Sequence, residues 1–364
     1  MTVQHSTPEL QALFGRVRLE PWGVDHVGSV QDAGFGGAGY EDAGYENAHE
    51  PDTAATAPLE QAALEVELPL ARWRPLAGRG AMRVERTLFL DGVRRVEARL
   101  LVEDASLQFG ALGSCGVAAV ACSPGAAPAT FVEEPLVQRW CALGGGRHEQ
   151  GALLVEAIGG GQRLEYTLTA TAENDVDAPV RHLQAKMREA ERLLAARLLS
   201  GLGDGLLLCD GPRPLLGADL RVLGYIKTVQ AQRLPRSALD VVRALAEGQR
   251  SPLYVVGSGE SARFEWYLRL RDPGAWAHTL AGSVRLQAHA GAEPARHLDW
   301  AREVADWSCT ELPRFATRSH QDPRAPQQLL PVRALENTLR RRLGSAPLLR
   351  RRVIAALPQR GQSL

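Results

Sequence analysis

Between residues 82 and 170, apolar and polar residues alternate or cluster in short runs, a pattern typical of β-strands. The first run, MRVERTLFLDG, ends on Asp91 and Gly92, and a second run, RRVEARLLVED, follows almost directly. The runs CGVAAVAC, ATFVEEPLVQRW, ALLVEAI and RLEYTLTAT come next, with Gly- or Pro-bearing turns between them. The simplest arrangement is an antiparallel meander, and we expect its last two runs to form a hairpin.

The stretch from 176 to 202 changes to the three- and four-residue spacing of an amphipathic helix. Asp177 is a suitable N-cap, Pro179 suits the first turn, and Gly201 marks the end. We expect one buried face, formed by Leu183, Met187, Ala190, Leu194 and Leu198.

Strands and helices alternate after this helix. The sequence predicts strands at GLLLCD, RVLGYIKTV and SPLYVVG, a helix at SALDVVRALAEG, and a hairpin of RFEWYLRLR with SVRLQAHA. Three more helices follow, around 295–312, 332–343 and 346–357. This order predicts an α/β fold in which helices flank a mixed sheet.

The amino-terminal part differs from the rest. Residues 7–19 have the pattern of a short amphipathic helix, and residues 31–60 are rich in Gly, Ala and acids and repeat AGYE twice. We therefore divide the chain into an N-terminal helix and arm (1–30), a flexible, irregular acidic insertion (31–60) and one large domain (61–364).

Composition narrows the class of protein. The chain is 45% hydrophobic and 23% charged, as in ordinary globular proteins. No apolar run approaches the roughly 18 residues of a membrane helix, and the amino terminus lacks the pattern of a secretory signal, so we expect a cytoplasmic protein without a membrane partner. The five cysteines form no C-x-x-C pair, which argues against a disulfide framework and a zinc cluster.

Charge is strongly segregated although the net charge is zero. No Lys or Arg occurs between Arg18 and Arg72, whereas the tail from Arg333 onward carries eight arginines and one acid. Such a tail could follow phosphates, or its arginines could line the solvated faces of two helices. Only two lysines are present, Lys186 and Lys227.

The two Asp-Gly pairs are the main candidates for chemistry. Asp91 and Asp210 each follow an apolar run, and ligands in α/β sheets collect at the carboxyl ends of strands. If the two strands are neighbours, the carboxylates would repel each other unless a proton or a divalent cation intervened. Glu191, at the edge of the buried face of the preceding helix, is a candidate third ligand. Asp-Gly is also a common turn signal, and Glu191 could be a solvated helix residue.

The order of these motifs resembles the NurA family of DNA nucleases. The matching segments are FLDGVRRVEARL, the helix with Glu191, LLLCDGPRPLLG with Asp210, and VLGYIKTVQAQRL with Lys227, and the resemblance extends over about residues 82 to 360. It implies an RNase H-like fold and a metal-dependent DNA nuclease acting in end resection and double-strand break repair. The implied activity is 5′–3′ exonuclease and single-strand endonuclease. The implied partners are DNA, as single strands and duplex ends, a HerA-type hexameric ATPase and a second copy of the chain.

The resemblance also implies roles for individual residues. Asp91, Glu191 and Asp210 would hold two Mn²⁺ or Mg²⁺ ions. Family members often carry a late histidine near a Pro-rich segment, but PQQLLPVRALENTLRRRLG has none, so His320 in RSHQDPRAP is our candidate for a metal ligand or proton-transfer group, while Asp322 could be a turn residue. The residues expected to contact DNA are Arg94, Arg95, Lys227, which could neutralise the scissile phosphate, and Arg233.

Two other functions remain open at this point. A different RNase H-like enzyme, such as a resolvase or transposase, would share the carboxylates and lack the translocase. A non-catalytic scaffold would use the Asp-Gly pairs as turns, and its acidic segment and Arg-rich tail would bind other proteins.

Overall fold

The computed structural model describes residues 16–19, 62–79, 82–103, 106–123, 129–146, 151–156, 163–227, 234–272, 274 and 277–356. The predicted acidic insertion at 31–60 and Arg233 lie outside these residues, as does most of the predicted helix at 7–19. The last residues of that predicted helix, Val17–Leu19, form a strand that pairs with Leu100–Val102, so the helix prediction is wrong there. Val17 is buried in the core, and this tertiary pairing outweighs the local helical pattern.

The described residues form fifteen strands and five α-helices. The strands are β1 Val17–Leu19, β2 Ala62–Ala63, β3 Leu76–Ala77, β4 Thr87–Glu103, β5 Leu107–Cys122, β6 Thr130–Phe131, β7 Leu136–Leu143, β8 Ala152–Glu156, β9 Arg163–Ala170, β10 Leu206–Asp210, β11 Val222–Ile226, β12 Gln249–Arg250, β13 Tyr254–Val256, β14 Arg263–Arg269 and β15 Ser283–His289. The helices are α1 Ala178–Leu199, α2 Arg236–Arg243, α3 Leu298–Phe315, α4 Leu330–Leu343 and α5 Ala346–Ala356.

All described strands belong to one mixed sheet, whose main path runs β2-β13-β14-β15-β11-β10-β4-β5-β7-β9-β8. At its centre β10 pairs in parallel with β4 on one side and with β11 on the other. The long strand β4 pairs with β5 in antiparallel fashion, and the predicted hairpins β8–β9 and β14–β15 are present. The predicted α/β class with a mixed sheet and flanking helices is confirmed.

The two Asp-Gly pairs differ in conformation. Gly211 follows the end of β10 and has a φ of 108°, a left-handed backbone conformation that suits glycine. Asp91 and Gly92 lie inside β4, which has 17 residues and keeps its pairing with Ala118 and Val117. The two predicted strands at 82–92 and 94–104 are therefore one strand, because β5 continues beside it through the predicted break.

Two helices cover opposite faces of the central strands. The α1 face contains Leu88 and Leu90 of β4, packed with the α1 residues Ala190 and Leu194. The α4 face contains Phe89 and Val93, packed with residues such as Leu335, Leu339 and Leu343. Every predicted residue of the buried α1 face is buried. None of the described helices has the length and apolar character needed to cross a membrane.

Candidate metal centre

Strand register brings Asp91 and Asp210 side by side. The parallel pairing of β10 with β4 runs from Leu206–Thr87 to Cys209–Leu90, so the next residue on each strand is an aspartate. Because side chains alternate along a strand, both aspartates point to the α4 face, in the rows of Phe89 and Leu208. β10 ends at Asp210 while β4 continues, and the two carboxylates lie at the point where the shorter strand stops.

Helix α4 supplies a third carboxylate, Glu336. Carboxylate oxygens of Asp91, Asp210 and Glu336 all lie within 4.8 Å of one another. Asp91 and Glu336 are buried, and the Asp210 side chain is 12% exposed. We name these three residues the carboxylate triad.

Glu336 was missed in the sequence analysis, although the sequence carries a signal for it. It is the only acid in the Arg-rich tail, and it follows Leu335 in the apolar row of a predicted helix. It also lies in the segment where we looked for a histidine.

Cations surround the triad on one side. The Lys227 Nζ lies 2.5 Å from the Asp210 Oδ2 and 3.8 Å from the Glu336 Oε1. Arg324 donates to both Glu336 oxygens at 3.0 and 2.8 Å, and Gln328 donates to Glu336 Oε1 at 2.9 Å. Hydrogen bonds from Arg324 and Gln328 thus fix the position of the Glu336 carboxylate.

The pKa values of Asp91 and Glu336 are shifted in opposite directions. Burial, and then the charges of Asp210 and Glu336, raise the pKa of Asp91 well above its ordinary value. Burial also tends to raise the pKa of Glu336, but the hydrogen bonds from Arg324 and the charges of Lys227 and Arg324 outweigh it, so the pKa of Glu336 is lowered. Asp91 is therefore the member of the triad that most lacks a compensating positive charge.

One oxygen of Asp91 has no hydrogen-bond partner in the described part of the chain. The backbone N–H of Gly92 donates to the Asp91 Oδ1 at 2.8 Å, whereas the buried Oδ2 receives no hydrogen bond from any described residue. A buried carboxylate oxygen without a partner is costly, and a hard divalent cation would satisfy it together with the neighbouring oxygens. The triad thus has the donor set and the unsatisfied oxygen that suit such an ion.

Glu191 lies on the other side of β4. Its Oε1 occupies the place where a Cβ on Gly92 would be, so the absence of a side chain at Gly92 lets the two elements approach. Burial raises the pKa of Glu191 to about 8, the charge of Arg188 and the hydrogen bond from the Gly92 backbone lower it, and Asp210 adds to the rise. Glu191 therefore lies next to β4, the strand that carries Asp91, but it is not a member of the carboxylate triad.

The other predicted site residues are more scattered. His320 is exposed in a turn and is not a member of the triad. Arg94 is half-buried, and its Nε donates to Gln184 at 2.8 Å.

Arg95 was predicted to contact DNA, but it is buried. It donates to the carbonyl oxygens of Gly344 and Leu343 at 2.6 and 2.8 Å and pairs with Glu97. Its guanidinium thus caps the carboxyl end of α4 and is directed into the protein. Arg233 lies outside the described residues.

No model of a protein family and no curated protein matches the chain. What can be said of the site therefore rests on its own geometry. Asp91, Asp210 and Glu336 form a buried acidic triad that could hold a metal ion.

Proposed function

We propose that this protein is a metal-dependent DNA nuclease of the NurA type, with an RNase H-like core. The observation that carries the proposal is the carboxylate triad at the end of β10, in which the buried Oδ2 of Asp91 has no hydrogen-bond partner among the described residues. Hydrolysis of phosphodiesters needs neutralisation of phosphate charge, and carboxylate-bound Mn²⁺ or Mg²⁺ is suited to it. The motif order in the sequence and the convergence of its two Asp-Gly aspartates support the same class of enzyme.

Four carboxylates of the chain have metal-binding roles in this proposal. Asp91, Asp210 and Glu336 would hold one ion, and Glu191, which approaches through Gly92, is the candidate ligand for a second. Bound Mn²⁺ or Mg²⁺ supplies a strong nucleophile from water at neutral pH and stabilises the leaving oxygen.

Lys227 and Arg324 orient the triad. Lys227 contacts both Asp210 and Glu336, and in this proposal it would also share its charge with a phosphate that enters the site. Arg324 fixes the orientation of Glu336 through two hydrogen bonds. The Glu336 carboxylate is therefore preorganised to bind a metal ion.

The wider proposal concerns partners. We propose that the substrates are single-stranded DNA and duplex ends, with 5′–3′ exonuclease and single-strand endonuclease activity, in end resection with a HerA-type hexameric ATPase. We also propose that the enzyme is a homodimer in the cytoplasm. Co-purification with a HerA-type ATPase and sedimentation of the isolated chain test these two partner proposals separately.

A cleavage assay tests the proposed activity. The full-length protein is incubated with end-labelled single-stranded and duplex DNA in Mn²⁺, Mg²⁺ or EDTA, and labels at the 5′ and 3′ ends report the direction of degradation. We expect cleavage that requires the metal and falls at least about 100-fold in Asp91→Asn and in Asp210→Asn, since loss of even an outer partner of a metal site costs 10–100-fold.

Glu67→Gln is the matched control for this assay. Glu67 is a buried carboxylate too, but it pairs with Arg250 at 2.8 Å and accepts the backbone N–H of Leu253. Its replacement removes a buried negative charge outside the triad. The nuclease proposal is wrong if the wild-type protein cleaves nothing, or if the two triad variants cleave as well as the wild type does.

A further inference from the structure

Helix α4 carries arginines on both sides of its site carboxylate. Arg333 precedes Glu336 by three residues and Arg340 follows it by four, and this spacing places all three on one stripe of a helix. The rise of an α-helix separates Arg333 and Arg340 by about 10.5 Å along the axis. That is about the rise of three nucleotides in one DNA strand, at roughly 3.4 Å each.

Arg340 contacts Glu336 directly, and Arg333 contacts the ion-pair network around it. The Arg340 Nη2 lies 3.3 Å from the Glu336 Oε2, and the Arg333 Nε lies 3.5 Å from the Oδ2 of Asp322. Asp322 itself pairs with Arg324, the residue that holds Glu336. Both arginine side chains also reach solvent, with 39% of Arg333 and 26% of Arg340 exposed.

Arg324 differs from these two in how its donors are used. It makes paired hydrogen bonds to Glu336 and further bonds to Asp322 at 3.1 and 3.2 Å. Its guanidinium is committed to positioning these two carboxylates. The 3.5 Å contact between Arg333 and Asp322 is longer than these bonds and is easier to exchange for an incoming anion.

The charge balance of the site favours an anion only when a metal is bound. The triad and Asp322 contribute four negative charges, and Lys227, Arg324, Arg333 and Arg340 contribute four positive charges. These formal charges sum to zero, and a divalent ion adds two positive charges. A bound metal is the largest local charge and would convert this neutral surface into a cationic one.

We propose that Arg333 and Arg340 bind the phosphate backbone of one DNA strand on either side of the triad. The choice of DNA as the ligand rests on the proposed nuclease function, and the inference assigns the strand contacts of that site to α4 in place of Arg95. Phosphate contacts of this kind position the strand without reading its sequence. The scissile phosphate would then lie between the two arginines, next to Glu336.

Salt dependence of binding tests this assignment. The probe is a fluorescein-labelled phosphorothioate oligothymidine of about 20 nucleotides, bound to the full-length protein in Ca²⁺ and followed by anisotropy between about 50 and 200 mM salt. Each phosphate contact with a single strand contributes about 0.7 to the slope of log affinity against log salt. We expect the slope to fall by about 0.7 in Arg333→Ala and in Arg340→Ala, and by about 1.4 in the double variant.

Arg341→Ala is the matched control on the same helix. Arg341 is exposed and next to Arg340, so its loss removes the same charge from a different face of α4. The inference is overturned if the slopes of Arg333→Ala and Arg340→Ala equal that of the wild type, or if Arg341→Ala changes the slope as much as they do.

Failure of the inference and failure of the proposed function give different results. If the wild-type protein cleaves DNA and the slopes of the variants are unchanged, the assignment of Arg333 and Arg340 as DNA contacts is refuted. The proposed nuclease activity is then still supported. The expected slopes in a protein that cleaves nothing would support the assignment and refute the nuclease.

Discussion

Asp91 is the residue on which the candidate site depends. It is buried, and one of its oxygens has no hydrogen-bond partner among the described residues. The negative charges of three other carboxylates raise its pKa further. A protein gains nothing in stability from such a residue unless a proton or a cation joins it. Functional sites commonly carry this kind of cost.

Replacement of Asp91 by Asn should separate stability from metal binding. Without metal, we expect Asp91→Asn to raise the melting temperature by a few degrees, because the amide removes the repulsion and can donate to Asp210 or Glu336. With Mn²⁺, the wild-type protein should gain about 2.7 kcal/mol at a concentration 100-fold above the dissociation constant, and the variant should gain far less. Differential scanning calorimetry measures both effects.

An exposed aspartate provides the comparison. Asp240 pairs with Arg243 on the surface of α2, so Asp240→Asn should leave both the melting temperature and its response to Mn²⁺ nearly unchanged. An Asp91→Asn protein that is less stable than wild type and still stabilised by Mn²⁺ would show that Asp91 is not a ligand.

Glu191 should give the metal-free protein a pH-dependent stability. Its pKa is raised to about 8 in the folded state, so the folded protein binds this proton more tightly than the unfolded chain does. The resulting stability is fully present below the unfolded pKa of about 4.3 and is lost as the pH rises through about 8. Asp91, whose pKa is also raised, acts in the same direction.

Unfolding by urea in EDTA across this pH range measures the effect. We expect the free energy of unfolding to decline less steeply with pH in Glu191→Gln than in the wild type. Glu189→Gln is the control on the same helix, because Glu189 pairs with Arg192 in solvent. Identical pH profiles for Glu191→Gln and wild type would show that the Glu191 carboxylate is not buried.

At the scale of elements, the site arises from a difference in strand length. β10 stops at Asp210 while β4 runs on to Glu103, so the Gly92 N–H has no strand beside it on that side and donates to carboxylates. α4 closes one face of this gap with Glu336, and α1 closes the other with Glu191.

A methyl group at Gly92 should disturb Glu191 and leave the triad in place. The added Cβ of Gly92→Ala would overlap Glu191 Oε1 and crowd Val117, and the flexible glutamate is the group that can move. We expect a fall in metal-dependent cleavage of about 10-fold or more, with a smaller effect on binding of the first Mn²⁺. Metal titration and cleavage rates of the same sample measure the two quantities.

Gly201→Ala is the control for backbone entropy, since an added Cβ there meets open space. If Gly92→Ala cleaves DNA at the rate of Gly201→Ala, then Glu191 has no part in the reaction.

The sequence predicts most elements of this fold, and the failures have physical causes. The periodicity of α1 identified its buried face, because 22 residues contain enough turns to define one. The break expected at Asp91-Gly92 does not occur, since a glycine can extend a strand as well as turn it, and only the pairing with β5 decides between the two.

The site was only partly predictable for a related reason. Asp91 and Asp210 carry a local signal, the Asp-Gly pair after an apolar run. Glu336 comes from a helix more than a hundred residues later, and its contact with the aspartates depends on how α4 packs on the sheet. Arg94 and Arg95 are neighbours with the same side chain, and no local pattern shows that Arg95 is the buried one.

At the scale of the whole molecule, a buried polar network ties the sheet to α4. Glu97 accepts hydrogen bonds from Arg95, Ser114 and Tyr166, which belong to β4, β5 and β9. Arg95 also holds the carbonyl groups at the end of α4, the helix that carries Glu336. Helix α4, which belongs to the Arg-rich carboxyl-terminal part, is thus integrated into the fold.

Removal of Arg95 should therefore destabilise the protein strongly. Arg95→Met removes the buried cation that pairs with Glu97 and the hydrogen bonds from Arg95 to two carbonyl oxygens, and loss of one partner of a buried ion pair costs about 3–5 kcal/mol. Urea unfolding measures the loss. Arg94→Met removes the half-buried neighbour, which binds Gln184, and should cost about 1 kcal/mol. Equal losses in the two variants would contradict the role assigned to Arg95.

The most direct test of the account is the position of a bound metal. Crystals of the full-length protein soaked in Mn²⁺ and measured at the manganese absorption edge give an anomalous difference map that locates the ion. We predict a peak at ligand distance from Asp91, Asp210 and Glu336 together. A map at saturating Mn²⁺ with no peak at these three carboxylates, or with peaks only elsewhere, would contradict the central claim that they form a metal site.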